Sequence, residues 1–178
     1  VKAKQKEIAR VEEEAKKATE DAKKVDESLK TAKTAAVDAK KTVDEAKKKI
    51  EESKIAGKAA EAELAKANKD QDKAKADWES AEKQAKEAEQ KTQALLADTS
   101  KPQPEKDAAQ KDSNEKRKRA NDLKLALDKI VADRIKPTEQ KIADSGKTLV
   151  TSEQVLKEAE QRQKDADAKA TLLIAKYG

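Results

Sequence analysis

From Ile8 onward, small apolar residues recur at alternating steps of three and four. That spacing describes a helix packed along one narrow seam against other helices. The series runs through Val11, Ala15, Ala18, Ala22, Val25, Leu29, Ala32, Ala36, Ala39, Val43, Ala46 and Ile50. It continues through Ser53, Gly57, Ala60, Leu64, Ala67, Gln71, Ala74, Trp78, Ala81, Ala85, Ala88, Thr92 and Leu95. These are the a and d positions of a heptad, and most are alanine. Alanine lets two backbones approach closely but removes little apolar area from water. The pattern says much about architecture and little about chemistry.

Composition points the same way. Charged residues make up 44% of the 178-residue chain and aromatics 1%, with a mean hydropathy of −1.11. A compact globule cannot be built from so little apolar surface. A long helical assembly needs only a thin stripe, and Ala, Lys and Glu are strong helix formers. The expected fold is therefore all-α, a single elongated antiparallel helical hairpin or bundle over residues 1–178 with an alanine-rich core.

The first arm covers residues 1–97. In Asp98-Thr99-Ser100-Lys101-Pro102-Gln103-Pro104 two closely spaced prolines remove backbone donors and push the residues before them out of the helical region. A reversal is expected over 98–104. Glu105 and Asp107 follow, where a new helix N-terminus favours negative charge. The second arm, 105–177, has two phases. Ala109, Ser113, Lys116, Ala120, Leu123, Leu127 and Ile130 hold one register; Ile142, Ser145, Leu149, Ser152, Leu156, Ala159, Gln163, Ala166, Ala170, Leu173 and Tyr177 hold another. The mismatch falls at Ile135-Lys136-Pro137, so a kink or restart is expected near Pro137.

Gly57 leaves two readings open. Glycine costs about 1 kcal/mol against alanine inside a helix, and a turn there would fold the first arm into its own hairpin and give a three-helix bundle. The heptad phase passes through it undisturbed and nothing caps a restart at Lys58, which favours one continuous arm of roughly 140 Å at about 1.5 Å per residue. The second arm would then be roughly 110 Å long by the same measure. Ser145-Gly146 poses the same question, with Thr151 and Gln154 offering a capping box.

Few residues carry chemistry. Cys, His, Met and Phe are absent, which excludes Cys/His zinc sites, thiol chemistry and imidazole acid–base catalysis within this chain. Carboxylate pairs such as Glu12/Glu13 and Glu51/Glu52 point to different helix faces. There is no nucleophile–base arrangement, no phosphate-cradling glycine loop and no metal-ligand cluster. The expectation is no enzyme, no catalytic, cofactor-binding or metal residue, no cofactor and no small-molecule substrate.

Lys116-Arg117-Lys118-Arg119 is the densest basic run, in a chain of net charge +5 and pI about 9.1. Phosphate contacts need such charges, yet Glu115 and Asp122 flank the run and no aromatic lies nearby to stack a base. It reads as a solvated helix face, and nucleic-acid binding is not expected. The two signs interleave elsewhere too, in the i,i+4 pairs Glu12–Lys16, Glu13–Lys17 and Glu82–Lys86. Trp78, at an a position, and Tyr177 read as core side chains.

No apolar run approaches the ~18 residues that span a bilayer, and Leu172-Leu173-Ile174 is too short to anchor anything. No leader pattern is present at the start and no Met precedes Val1, so the chain reads as a processed or recombinant fragment.

Long cysteine-free Ala/Lys/Glu helices, the reversal at Lys101-Pro102-Gln103-Pro104 and the scarcity of aromatics resemble the alanine-rich surface coat proteins of insect-stage trypanosomes, the glutamic acid/alanine-rich protein and its relatives. The resemblance spans most of the chain and is compositional and architectural. It implies a helical bundle related in shape to variant surface glycoproteins, a surface antigen in a dense protective coat. It also implies an extracellular, cell-surface location and a GPI anchor outside this chain as the only link to the membrane. The helical hairpins of colicin-type toxins look similar as well, which would imply a receptor-binding rod. Neither resemblance identifies a protein partner or receptor. Desiccation-protective proteins share the composition, but their eleven-residue repeat does not match this heptad.

Overall fold

The computed structural model describes residues 2–177. Helix α1 spans Lys2–Ala97, α2 Gln103–Ile130 and α3 Lys136–Tyr177, with a five-residue π-turn, Val131–Ile135, between the last two. No strand occurs among the described residues, so the fold is all-α. The chain divides into two compact units, residues 54–146 and residues 1–53 with 147–178.

The unit formed by residues 54–146 is a helical hairpin. Its reversal is built from the residues that predicted it. The Ser100 backbone N–H and hydroxyl both donate to Asp98 Oδ1, at 2.9 and 2.6 Å, closing an Asx turn. Pro102 holds φ −67 and ψ 147 as the N-cap of α2, and Pro104 falls in the first turn, where its missing donor costs nothing. Glu105 lies in that first turn as expected. Lys106 Nζ reaches the Leu96 carbonyl at 3.5 Å and complements the end of α1.

The buried residues of this hairpin are mostly small: Ala60, Ala67, Ala81, Ala85, Ala88 and Thr92 on α1, with Ser113, Ala120, Thr138 and the larger Leu127 and Ile135 opposite. Ala85 and Ala120 are both 0% exposed and share a cluster with Ala81, against which Leu123 packs. A lone methyl is covered completely by the facing backbone, whereas a long side chain in a two-helix seam keeps its rim in water. The large seam residues Leu29, Leu64, Trp78, Leu127, Leu156 and Leu173 show this, and the reading of Trp78 as a core side chain is corrected. Only Leu127 is buried; the others are half-buried.

α1 passes through Gly57 without a break. A methyl added there would lie 3.9 Å from Ser145 Cβ, an ordinary contact. The phase slip of the second arm also has a local cause. Ile130 is the last seam residue of α2 and Ile135 the next, a step of five where a heptad takes four. The π-turn absorbs the extra residue, with the Lys136 N–H bonded to the Val131 carbonyl. Pro137 follows within α3. Its ring would clash with the carbonyl four residues earlier in a regular helix, and widening that preceding turn relieves the clash.

In the other unit, Ala32, Ala39, Val43, Ala46, Ile50 and Ser53 are buried on α1, and Ser152, Ala159 and Ala166 on α3. Burial on α1 begins only at Val25. The seam positions Ile8, Val11, Ala15, Ala18 and Ala22 are exposed, Ile8 at 58% and Val11 at 54%. The heptad continues there, but no described residue covers it. Tyr177, expected in the core, is 55% exposed, because it stands in the last turn of α3. No helix starts at the Thr151 capping box. The Thr151 hydroxyl donates to the Lys147 carbonyl inside α3, at 3.0 Å.

Candidate functional site

The most organised set of charged side chains lies in the hairpin of residues 54–146, beside its alanine seam. Glu82 and Glu89 are seven residues apart on α1, each directly after a d position, and Arg117 on α2 directly follows the d position Lys116. Arg117 Nε and Nη2 donate to Glu89 Oε1 and Oε2 at 2.7 and 2.8 Å, a bidentate fork. Arg117 Nη1 donates to Glu82 Oε2 at 2.6 Å. Lys86 Nζ approaches the other Glu82 oxygen at 3.4 Å. One guanidinium thus bridges two turns of the opposite helix.

The electrostatic consequence is mutual. The Arg117 hydrogen bonds hold the Glu89 carboxyl below the ordinary carboxylate range, and Glu89, with Glu82, raises the guanidinium further. Asp98 is likewise held low by its two Ser100 donors. The lowered pKa keeps the Glu89 and Asp98 carboxylates in the ionised, hydrogen-bond-accepting form to more acidic pH than a free carboxylate.

Two more cross-helix pairs repeat the pattern: Arg134 to Asp70 at 2.6 Å and Lys141 to Glu63 at 3.7 Å. Both acids immediately precede an a position of α1. Acid flanks of α1 in this unit therefore meet bases from the opposite helix. The buried Thr92 hydroxyl adds a bond to the Ala109 carbonyl at 3.0 Å.

The basic run is dispersed by this geometry. Lys116 pairs with Asp112 at 2.7 Å along its own helix, Arg117 crosses to α1, and Lys118 and Arg119 are exposed. Reading the run as one solvated face is corrected for Arg117: its position beside the seam turns it toward the partner helix. Trp78 is half-buried, with Lys124 Nζ 5.4 Å from its ring centroid, a cation–π contact between helices. The pairs Glu12/Glu13 and Glu51/Glu52 are all exposed. Of the expected local pairs, Glu13–Lys17 and Glu82–Lys86 close at 3.3 and 3.4 Å.

The a and d positions alone miss the Arg117 fork. The signal was in the residues beside them: once the reversal is placed at 98–104, Glu82, Glu89 and Arg117 fall on facing flanks. Among the described residues no three acidic side chains cluster to hold a metal, and no helix is long and apolar enough to cross a membrane. Comparison with protein-family models, curated proteins and solved structures gives no match.

Proposed function

We propose that this chain is a non-catalytic structural antigen in a dense protective coat on a cell surface, held to the membrane only by a GPI anchor outside the chain. The observation that carries the reading is the division of side chains between seam and surface. In each unit the buried positions are chiefly alanine, and the outer faces carry the interleaved charges. Helices of this kind stand in water without a broad core and present a hydrated, mixed-charge exterior suited to crowding beside identical neighbours. The charged fork at Arg117 serves pairing between helices, which agrees with a role without substrate or nucleic acid.

Treating intact cells with a membrane-impermeant amine label and then with a phosphatidylinositol-specific phospholipase tests the proposal. Labelled protein released by the enzyme is the expected result. An unlabelled protein confined to the cell interior overturns it.

The uncovered heptad at residues 8–22 favours a second reading, a receptor-binding helical rod of the colicin type. The full reading frame separates the two. Flanking translocation and killing domains support the toxin, whereas a leader and an anchor signal support the coat.

A further inference from the structure

The π-turn at Val131–Ile135 is a feature that the seam does not require. Removing one residue from it would leave Ile130 and the next seam residue four apart, the ordinary heptad step. Single π-turns of this kind stand frequently at functional sites. Here the turn borders a groove in the hairpin of residues 54–146, between α1 and the start of α3. Lys66 and Ala67 line one side of it, and Asp133, Arg134, Pro137 and Thr138 the other.

Three groups in this groove are unpartnered. Thr138 is 6% exposed, and its hydroxyl has no hydrogen-bond partner among the described residues. The oxygen is not sealed in, because no fully enclosed side-chain oxygen among them lacks a partner. Helical threonines such as Thr31, Thr42 and Thr151 donate to the carbonyl four residues back, and the buried Thr92 bonds across the seam. Thr138 does neither. Lys66 and Asp133 form no ion pair among the described residues. Arg134 gives one N–H, on Nη1, to Asp70 at 2.6 Å, and a guanidinium carries five. Lys141 and Glu63 complete the lining and pair with each other at 3.7 Å, adding no net charge.

The unpartnered set is thus one base, one acid and one hydroxyl, beside an arginine with donors to spare. A bare anion would face Asp133, and a bare cation would face Lys66 and Arg134. A molecule carrying both charges matches all of them. We propose that this groove binds a free α-amino acid with a small apolar side chain. The ligand carboxylate accepts from Lys66, from the free N–H groups of Arg134 and from the Thr138 hydroxyl. Its ammonium donates to Asp133, and its side chain lies on the exposed Pro137 ring and on Ala67. This site is independent of the coat reading and involves no chemical step.

The test titrates the full chain with L-valine, with isovalerate, which lacks the ammonium, and with isobutylamine, which lacks the carboxylate. Binding is read by amide chemical shifts. Valine is expected to shift residues 63–70 and 131–141 and to bind at least about tenfold tighter than either half, because each half lacks one charge-assisted end. Thr138→Val keeps the side-chain shape, removes the hydroxyl, and should weaken valine binding several-fold while the melting temperature is held or raised. Asp133 is exposed, so Asp133→Asn should leave the fold intact and abolish the preference for valine over isovalerate. Absence of any shift with valine overturns the proposal. Equal binding of valine and isovalerate overturns it too, in favour of an adventitious anion only. So does valine binding that neither substitution alters.

Discussion

The hairpin of residues 54–146 and the unit of residues 1–53 with 147–178 use the same alanine seam but fix it by different means. The first ties its helices together from the sides, through the Arg117 fork, Arg134–Asp70, Lys141–Glu63 and the Thr92 bond. The ion pairs described in the second, such as Arg10–Glu7, Lys48–Glu52 and Arg162–Glu158, join residues of one helix. There the branched seam residues Val43 and Ile50 supply the shape that alanine lacks. An alanine stripe slides easily because one methyl resembles the next. Register must come from charged flanks or from occasional larger side chains.

The largest expected effect breaks the apolar part of that comparison. Leu127 is 7% exposed, so Leu127→Ala should cost about 2–4 kcal/mol in urea unfolding. The half-buried Leu156 should cost less when cut to alanine. Equal losses at both positions would show that exposure does not rank the seam.

Overpacking comes next. Ala85→Leu or Ala120→Leu places a long side chain where no surface is open and should cost about 1–3 kcal/mol. Ala18→Leu, on the uncovered stretch of α1, should stay within about 0.5 kcal/mol of the parent. A large loss at Ala18 would mean that residues 8–22 are covered after all.

The charged flank sharpens the comparison through pH. The folded-state pKa of Glu89 is depressed, so its contribution is fully present above the ordinary carboxylate range and is lost as pH falls through its lowered value. Melting of the parent should therefore weaken on acidification more steeply than melting of Arg117→Met, which has already lost the fork. Parallel pH profiles would remove Glu89 from the account.

The smallest effect has the opposite sign. Gly57 has room for a methyl, and nothing lies within 4 Å of one added at Gly146. Both sit inside helices, so Gly57→Ala and Gly146→Ala should each raise stability by up to about 1 kcal/mol. A lower melting temperature in either variant would expose a need for glycine that the packing does not reveal.

Much of this architecture was legible before any coordinates. The period of three and four dictates helix and names the buried face, because only residues at that spacing line one side of the cylinder. The prolines at 102 and 104 place the reversal, because neither can donate to a helix running through them. The slip at Pro137 was legible as a slip, but not as a π-turn upstream at Val131–Ile135. A proline limits the turn before it, and only the facing seam decides where the extra residue goes. The tertiary structure alone decided three further matters. Leu29, Leu64, Trp78, Leu156 and Leu173 stay half-buried because a two-helix seam is narrower than they are. Arg117 leaves its basic run because two carboxylates face it across the seam. Ile8 through Ala22 keep the seam spacing yet are exposed, because a repeat in one helix does not say which stretch of it a facing helix covers.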